Sequence, residues 1–564
     1  MKIQQRPLLT NPDLFQGLPS FMQTILAGRG VQHATHLELK LQHLLKPTFK
    51  GLDSAVALID EAIDTQQHIV IVGDYDTDGA TSTALMVLAL RQMGAKVDYV
   101  VPDRFKYGYG LTPKIADLVQ QKYQPQLLIT VDNGISSHTG VEQAKLHGMK
   151  VIVTDHHLTT KSAPEADAVV NPNQLGCPFE SKALAGVGVA FYILAHLATQ
   201  RKKQGKTTCN MGQYLDLVAL GTYADVAALD YNNRILIDAG LKRIQQHQCR
   251  AGILALFDVA GKSVQHATAQ DFGFVLGPRL NAAGRMETMD VGIECLLAST
   301  FEEAYPLAQQ LQRLNLERRT VEGEIKDEAL QILQNIHLDT PKSAIVLFEE
   351  HWHQGVIGIV AGRLKEQFHR PSIVFAPDAD GIHIKGSARS IEGIHVRDMI
   401  EKVAEEYPHL IRFFGGHAAA AGLTIKKVDF EAFKTAFEQC IAQVDASILE
   451  EVLWTDGMLP AEALNLTTVE KIDALGPWGQ KFPYPVFEGV FDVLNFRWLK
   501  EKHLKLSLKC QSGQIIDAIG FNAKDRFSFD ETSKRIRLVY QLDKNSFNGV
   551  TRLQLHIVYL MAVI

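Results

Sequence analysis

Three aspartates, Asp74, Asp76 and Asp78, stand at alternate positions in HIVIVGDYDTDGATS, residues 68–82. Carboxylates crowded on one turn repel one another, and each resists ionising. A divalent cation removes that penalty, and hard oxygen ligands suit Mg2+ or Mn2+. The plainer alternative is a turn whose Asp caps the next helix, and one Asp is enough for that. Further along, Asp132 sits in VDNG, Asp155, His156 and His157 run together, and Asp225 lies among small and apolar neighbours in GTYADVAAL. Taken singly, a His-His pair suits a surface turn and Asp225 suits a helix cap. A carboxylate in apolar surroundings otherwise needs a partner or a metal.

A second set of residues suits an anion. Arg104 and Lys106 accompany Gly108 and Gly110 in VPDRFKYGYGL, and LGPRLNAAGRM holds Arg279, Asn281 and Arg285. His353 lies in HWHQG, Ser387 and Arg389 in GSARS, and Gly416 and His417 in GGHAAAAG. Glycines let a ligand approach the backbone, and arginine forks onto phosphate oxygens. Glycine-rich turns with ordinary salt bridges are the alternative for each stretch.

The elements that must position these groups alternate between strand and helix. Apolar runs predict strands at 69–73, 97–101, 127–131 and 151–154, with helices at 79–93, 113–122 and 138–147. This is the pattern of a parallel sheet covered on both faces. Asp74, Asp132 and the Asp155-His156-His157 run each fall just beyond a strand C-terminus, where open α/β sheets bind ligands. Residues 183–199 and 211–220 read as buried helices, and 301–337 as a long, mostly exposed helix joining two halves. A second α/β unit starts near 342 and closes with a helix at 428–443. Five strands follow and suggest a small barrel such as an OB-fold. Residues 485–564 carry twelve Lys/Arg against eight Asp/Glu, although the whole chain has a net charge of −6. There Phe496 and Trp498 alternate with Arg497 and near Lys500, which suits stacking of single-stranded bases. A β core with solvated lysines fits the same residues.

Three or four domains are expected from 564 residues, and 46% hydrophobic with 21% charged residues is ordinary for a globular protein. Six scattered cysteines without a CxxC pair fit reduced thiols. No apolar run approaches a membrane span, and the start lacks a signal-peptide core, so a cytoplasmic location is expected.

GDYDTDGA, VDNG, TDHH and Ala224-Asp225-Val226 resemble the four motifs of the DHH phosphoesterase superfamily. LGPRLNAAGRM, WHQGVIGIVAGRL, GSARS and GGHAAAAG resemble the DHHA1 domain and its neighbours in the single-stranded-DNA-specific exonucleases of that superfamily. The resemblance covers roughly residues 45–445 strongly and the terminal barrel more weakly. It implies an α/β fold in which a parallel-sheet DHH domain is joined by a long helix to a second α/β (DHHA1) domain, with an OB-like C-terminal β-barrel. The boundaries that follow are an N-terminal arm at 1–45, DHH at 46–240, a helical connector at 241–340, DHHA1 at 341–445 and the barrel domain at 446–564.

The resemblance further implies two-metal hydrolysis of single-stranded DNA from the 5′ end to 5′-mononucleotides, in DNA repair and recombination, with two Mn2+ or Mg2+ ions. Asp76, Asp78, Asp132, His156 and Asp225 would then be metal ligands, with Asp132 bridging. Asp74 would be a ligand or stand just behind them. His157 would touch the scissile phosphate, making His157 and Asp132 the catalytic pair. Arg279, Arg389 and His417 would hold DNA phosphates with His353 nearby, and Arg104, Asn281, Arg285, Ser387 and Gly416 would complete the DNA contacts. A helicase and a single-strand-binding protein are the partners implied, and no membrane. Two rival functions stay open: a DHH-family phosphodiesterase of short oligonucleotides or small nucleotides, and a non-catalytic DNA-binding replication scaffold. The first has no need of the barrel, and the second no need of the acidic positions.

Overall fold

The computed structural model describes residues 2–103, 106–159, 162–335, 343–527, 529–547 and 549–562. Arg104 lies outside the described residues. The chain divides into two compact units. One comprises Pro7–Asn315 with Asn465–Pro485; the other takes the described residues of Met1–Arg6, Leu316–Leu464 and Val486–Ile564.

After a short first strand, β1 (Lys2–Gln5), the first unit contributes β2 (His68–Val72), β3 (Lys96–Val100), β4 (Leu127–Thr130), β5 (Lys150–Thr154) and β6 (Ala168–Val170). They pair in parallel in the order β3-β2-β4-β5-β6. The expected strands are thus present, and β6 adds a three-residue edge too short to show a period. Val70, Val72, Leu128, Val151 and Val153 face one core, packed with Ile115 and Val119 of helix Pro113–Tyr123 and Val141 of helix His138–Leu146. Helix Thr77–Gln92 is buried over most of its length, as a helix enclosed on all sides must be. Its run of small residues admits close neighbours: a Cβ at Gly221 would lie 2.2 Å from Thr81 Oγ1.

The segment before the sheet is less of a loose arm than its sequence suggests. Phe15, Met22, Ile25 and Leu26 are buried, and Arg29 donates through Nε to the Pro483 carbonyl at 2.8 Å. The Arg29 and Arg234 guanidinium groups lie 5.4 Å and 4.1 Å from the rings of Trp478 and Phe482. Residues 465–485, which the sequence groups with the terminal strands, therefore pack with the parallel-sheet unit.

In the second unit β7 (Ile345–Phe348), β8 (Ser372–Pro377), β9 (His383–Arg389), β10 (Phe413–Gly416) and β11 (Ala420–Lys426) form a sheet in the order β10-β11-β9-β8-β7. Only β7 and β8 run parallel within it. Strand β12 (Val452–Thr455) pairs with β1. The last strands, β13 (Phe487–Leu499), β14 (His503–Lys509), β15 (Ile515–Gly520), β16 (Arg535–Phe547) and β17 (Val550–Ala562), close a barrel in the order β13-β14-β15-β17-β16.

Helix Phe301–Asn335 is long, as its charge pattern predicts, but it is not mostly exposed. Ala304, Ala308, Leu311 and Leu314 are buried at helical spacing, and so are Ile325, Ala329 and Leu333; its acids and bases occupy only the remaining face. The barrel brings a second difference. Phe496 and Trp498 pair across the ladder with Leu506 and Leu504, which are buried. Cross-strand partners share a face, so both aromatics lie on the side of those leucines, each half-buried. Trp498 Nε1 donates to Glu531 Oε1 at 2.9 Å, and the Phe496 ring meets Phe529 edge-on at 5.4 Å. Among the described side chains of the barrel, Phe521 is the exposed aromatic, flanked by His503 and His556. All six cysteines are unpaired. Among the described residues no helix is long and apolar enough to cross a membrane.

Candidate active site

Strand β2 ends in a turn so tight that a Cβ at Gly79 would stand 2.4 Å from the Asp74 carbonyl oxygen. The three aspartates of this turn have separate tasks. Asp76 is the N-cap of helix Thr77–Gln92, its Oδ1 accepting from Gly79 N at 3.0 Å, so the capping alternative accounts for one carboxylate of three. Asp74 Oδ1 accepts from Tyr75 N at 2.8 Å. Asp78 is buried and accepts from Gly186 N at 2.6 Å and Val187 N at 2.9 Å. Those two amides open helix Gly186–Lys203, whose positive end stabilises the anion.

Asp132 follows β4 in the left-handed region, with φ of 60°. Asn133 holds that bend, donating to the Val72 and Val131 carbonyls at 3.1 Å and 2.9 Å. His156 follows β5 and Asp225 ends helix Leu215–Ala224. His156 Nε2 lies 3.0 Å from Asp132 Oδ1, 3.7 Å from Asp78 Oδ2 and 3.8 Å from Asp225 Oδ2. Ligand atoms of Asp74, Asp76 and Asp132 fall within 4.8 Å of one another, as do those of Asp78, His156 and Asp225. Asp132, His156 and His157 form a third such group, so Asp132 is shared.

Burial raises the carboxyls of Asp78, Asp132 and Asp225 above the usual range, and their mutual repulsion with Asp76 adds to it. Left alone they would take up protons. Asp132 Oδ1 is buried without a hydrogen bond, although His156 Nε2 is only 3.0 Å from it. With the ring nitrogen unprotonated, two such atoms at that distance suit neighbouring ligands of one octahedral ion with bonds of about 2.1 Å. Five carboxylates and one imidazole are a donor set for Mg2+ or Mn2+.

Beside this cluster Asp155 binds no candidate metal position. It accepts from Ile135 N at 2.8 Å, His156 N at 2.7 Å, His157 N at 3.0 Å and His157 Nδ1 at 2.7 Å. Burial pushes its carboxyl up, but the His157 bond and the two imidazoles outweigh that and hold it at about 2. Burial likewise pushes His157 down, and Asp155 with the nearby carboxylates of Asp225 and Asp74 raises it to about 9. His157 is thereby oriented, and in the metal-free protein it holds its proton more tightly than a free imidazole does. The Tyr109 hydroxyl stands 3.4 Å from its Nε2.

Family models place these features. The DHH family, N-terminal domain matches residues 68–222, the DHHA1 domain 341–443 and the RecJ OB domain 455–559. The chain is 47% identical to the single-stranded-DNA-specific exonuclease RecJ of Haemophilus influenzae over 552 residues, 96% of each chain. It is 43% identical to that of Escherichia coli strain K12, over 98% of each. The chain belongs to the RecJ family. Crystal structures of Thermus thermophilus RecJ in complex with Mn2+ and with Mg2+ superpose with TM-scores of 0.82 and 0.78, at 29% and 28% identity. They cover all of this chain and 79% and 78% of theirs. A RecJ family member with this donor set is a divalent-metal enzyme.

The expected DNA-contact residues fall into two groups. Arg279, Asn281 and Arg285 lie on helix Gly277–Met286, seated on the acidic turn so closely that a Cβ at Gly284 would lie 1.9 Å from the Tyr75 carbonyl oxygen. Asn281 Oδ1 accepts from Thr77 N at 2.7 Å and Thr77 Oγ1 at 2.8 Å, so it braces the turn. His353, Ser387, Arg389, Gly416 and His417 belong to the other unit. Arg389 pairs with Ala420 and Gly416 with Ala421, so the end of β9 adjoins the β10–β11 hairpin. Arg389 Nη1 donates to Ser387 Oγ at 3.1 Å, and His353 Nδ1 accepts from Gly355 N at 3.0 Å.

Sequence reasoning missed the brace formed by Asp155, Asn133 and Gly186. Gly186 is the sharpest case: a Cβ there would lie 2.7 Å from Asp132 Cβ and 3.0 Å from Asp132 Oδ1. Its signal was a glycine opening an apolar helix, which by itself marks no site.

Proposed function

We infer that this chain is a divalent-metal-dependent exonuclease that hydrolyses the phosphodiester bonds of single-stranded DNA. The observation that carries this reading is the pair of ligand triads sharing one sheet edge, Asp74/Asp76/Asp132 and Asp78/His156/Asp225. The RecJ relatives are named for single-stranded-DNA-specific exonuclease activity.

In this reading the two triads would hold two cations, Asp132 being a ligand candidate of more than one group. Cations bound there supply Lewis-acid charge and a more acidic water for attack on phosphorus. The chain supplies the rest. Asp78, fixed by the amides of Gly186 and Val187, and Asp132, fixed by Asn133, keep the donor atoms in place before substrate arrives. His157, charged through Asp155, donates to a non-bridging phosphate oxygen, where negative charge grows as the bond breaks. Arg279 and Arg285 lie on the helix that braces the acidic turn, within one segment of the metal ligands, and bind flanking phosphates. Ser387, Arg389, Gly416, His417 and His353 supply further DNA contacts from the second unit, with Arg104 assigned on its motif alone. Attack from the 5′ end with release of 5′-mononucleotides follows from the family resemblance, as do action in repair and recombination, a cytoplasmic location, and work beside a helicase and a single-strand-binding protein. The basic barrel, with a RecJ OB domain match, supports a grip on longer DNA and speaks against a short-oligonucleotide phosphodiesterase.

A 3′-labelled single-stranded DNA incubated with Mn2+, with Mg2+ and with chelator tests the reading. A ladder shortening from the 5′ side, lost with chelator and absent on blunt duplex, is expected. Binding without cleavage in either metal would sink it.

A further inference from the structure

Helix Leu215–Ala224 ends at Asp225, and the next residue, Val226, has φ of 59°. This is the left-handed position after a helix, where glycine is usual and asparagine tolerated. A β-branched side chain there is an outlier, and an outlier of this kind is grounds for asking what it does. Among the described residues Val226 is the one β-branched residue with positive φ. Burial does not compensate it, because Val226 is 63% exposed.

The backbone around Val226 is held from both sides. Asp225 N donates to the Gly221 carbonyl at 2.9 Å and Val226 N to the Tyr223 carbonyl at 3.2 Å. Downstream, Leu229 N donates to the Gln480 carbonyl at 2.8 Å, and Asp230 caps helix Tyr231–Gln245. Glycine would make this turn with less strain. A valine in its place adds one thing, an exposed apolar surface a single residue from a metal-centre carboxylate. Consecutive Cα atoms are about 3.8 Å apart, so the Val226 backbone lies one residue from a carboxylate of the centre that would hold the phosphate. Phosphates in DNA are flanked on both sides by deoxyribose, whose carbon-bound face is the nearest apolar part of the substrate; the bases lie farther off.

We propose that Val226 is a substrate-contact residue, its side chain packing on the deoxyribose next to the scissile phosphate. The proposal rests on the exonuclease reading above. The strained backbone is kept because the side chain is needed, and the contact is to the sugar, so it is independent of base identity.

The test compares the full-length protein with Val226→Gly and Val226→Asn, both suited to positive φ. Melting temperature, the Mn2+ concentration for half-maximal activity, and kcat and KM on oligo-dT and oligo-dA are measured. Expected are a Tm unchanged or raised, unchanged Mn2+ dependence, and a KM raised about tenfold in both variants, equally on the two homopolymers. A wild-type KM with a raised Tm would make Val226 a tolerated defect and overturn the proposal. A fall in Tm in both variants, or weakened Mn2+ dependence, would make the residue structural and overturn it as well. A loss on one homopolymer only would place the contact on the base and reject the sugar. If the wild-type protein itself shows no chelator-sensitive shortening of DNA, the exonuclease reading fails first.

Discussion

Gly186→Ala is the smallest change that should damage the catalytic centre without touching a ligand. Gly186 has ordinary backbone angles, being absent from the residues with positive φ, so alanine introduces no conformational strain. Its methyl group would lie 2.7 Å from Asp132 Cβ and 2.9 Å from Asp132 Cα. Carbon atoms rest at about 3.5–4.0 Å, so one side must retreat by roughly 0.8 Å or more. If helix Gly186–Lys203 retreats, the 2.6 Å bond from Gly186 N to Asp78 Oδ2 stretches beyond useful range. Losing a hydrogen bond to a charged group costs about 1.5–3 kcal/mol. If Asp132 retreats instead, its carboxylate leaves the 3.0 Å position opposite His156. A misplacement near 1 Å at a reacting centre lowers rates by about 100-fold. Either route predicts a kcat on single-stranded DNA down by about two orders of magnitude and a higher Mn2+ requirement, with KM for DNA little changed. Steady-state kinetics against Mn2+ concentration, alongside thermal melting, separate the routes: helix movement lowers Tm, carboxylate movement spares it. A variant with wild-type kcat at low Mn2+ would refute the tight-packing account of the site.

Four other outcomes are expected. Asp132→Ala should abolish cleavage while a gel-shift assay still shows DNA binding within a few fold of wild type; substantial residual cleavage would remove Asp132 from the centre. Asn281→Ala should lower Tm and kcat, each lost hydrogen bond being worth about 0.5–1.5 kcal/mol, because Asn281 braces Thr77; a change confined to KM would instead make it a DNA contact. In metal-free protein His157 should titrate near 9, above its ordinary 6.5, so its pairing with Asp155 stabilises the fold fully between about 4 and 6.5, fades below that as Asp155 protonates towards 2, and is lost as pH rises through 9. NMR titration of Asp155→Asn should find the imidazole falling by two units or more, and an unshifted His157 would contradict the pairing. Removing residues from Val486 onward should raise KM and flatten its salt dependence, whereas cutting at 450 should also lower Tm by stripping Trp478 and Phe482 from Arg29 and Arg234; equal melting of the two truncations would argue against that packing.

The strands that carry the metal residues were legible because each is a continuous apolar run ended by a polar turn, and chemistry-bearing residues at several strand ends converge on one sheet edge. The residues that hold the ligands were not. Asp78 meets Gly186 across 108 positions and Thr77 meets Asn281 across 204, and such contacts leave no local period or composition to read. Asn281 reads as a ligand-facing polar residue among small neighbours; one of those neighbours, Gly284, is small because it must clear the Tyr75 carbonyl. Phe496 and Trp498 are a parallel case, since alternation along a strand says that two side chains share a face but not how far that face is covered, and both are half-buried. The charge on helix Phe301–Asn335 hid its apolar stripe for want of regard to spacing.

The anchoring of Asp78 to the first turn of helix Gly186–Lys203 bears on when this protein can become a nuclease. During synthesis the acidic turn leaves the ribosome more than a hundred residues before the amides that fix it, and Asp225 comes later still. A nascent chain bearing Asp74, Asp76 and Asp78 alone holds an acidic loop and no assembled centre. Nucleolytic competence is therefore acquired late, once the helices at 186 and 215 have docked on the sheet, and it is surrendered early, by any local opening that lifts the 186 helix while the sheet remains intact. Degradative chemistry is confined in this way to molecules in which those helices have docked on the sheet.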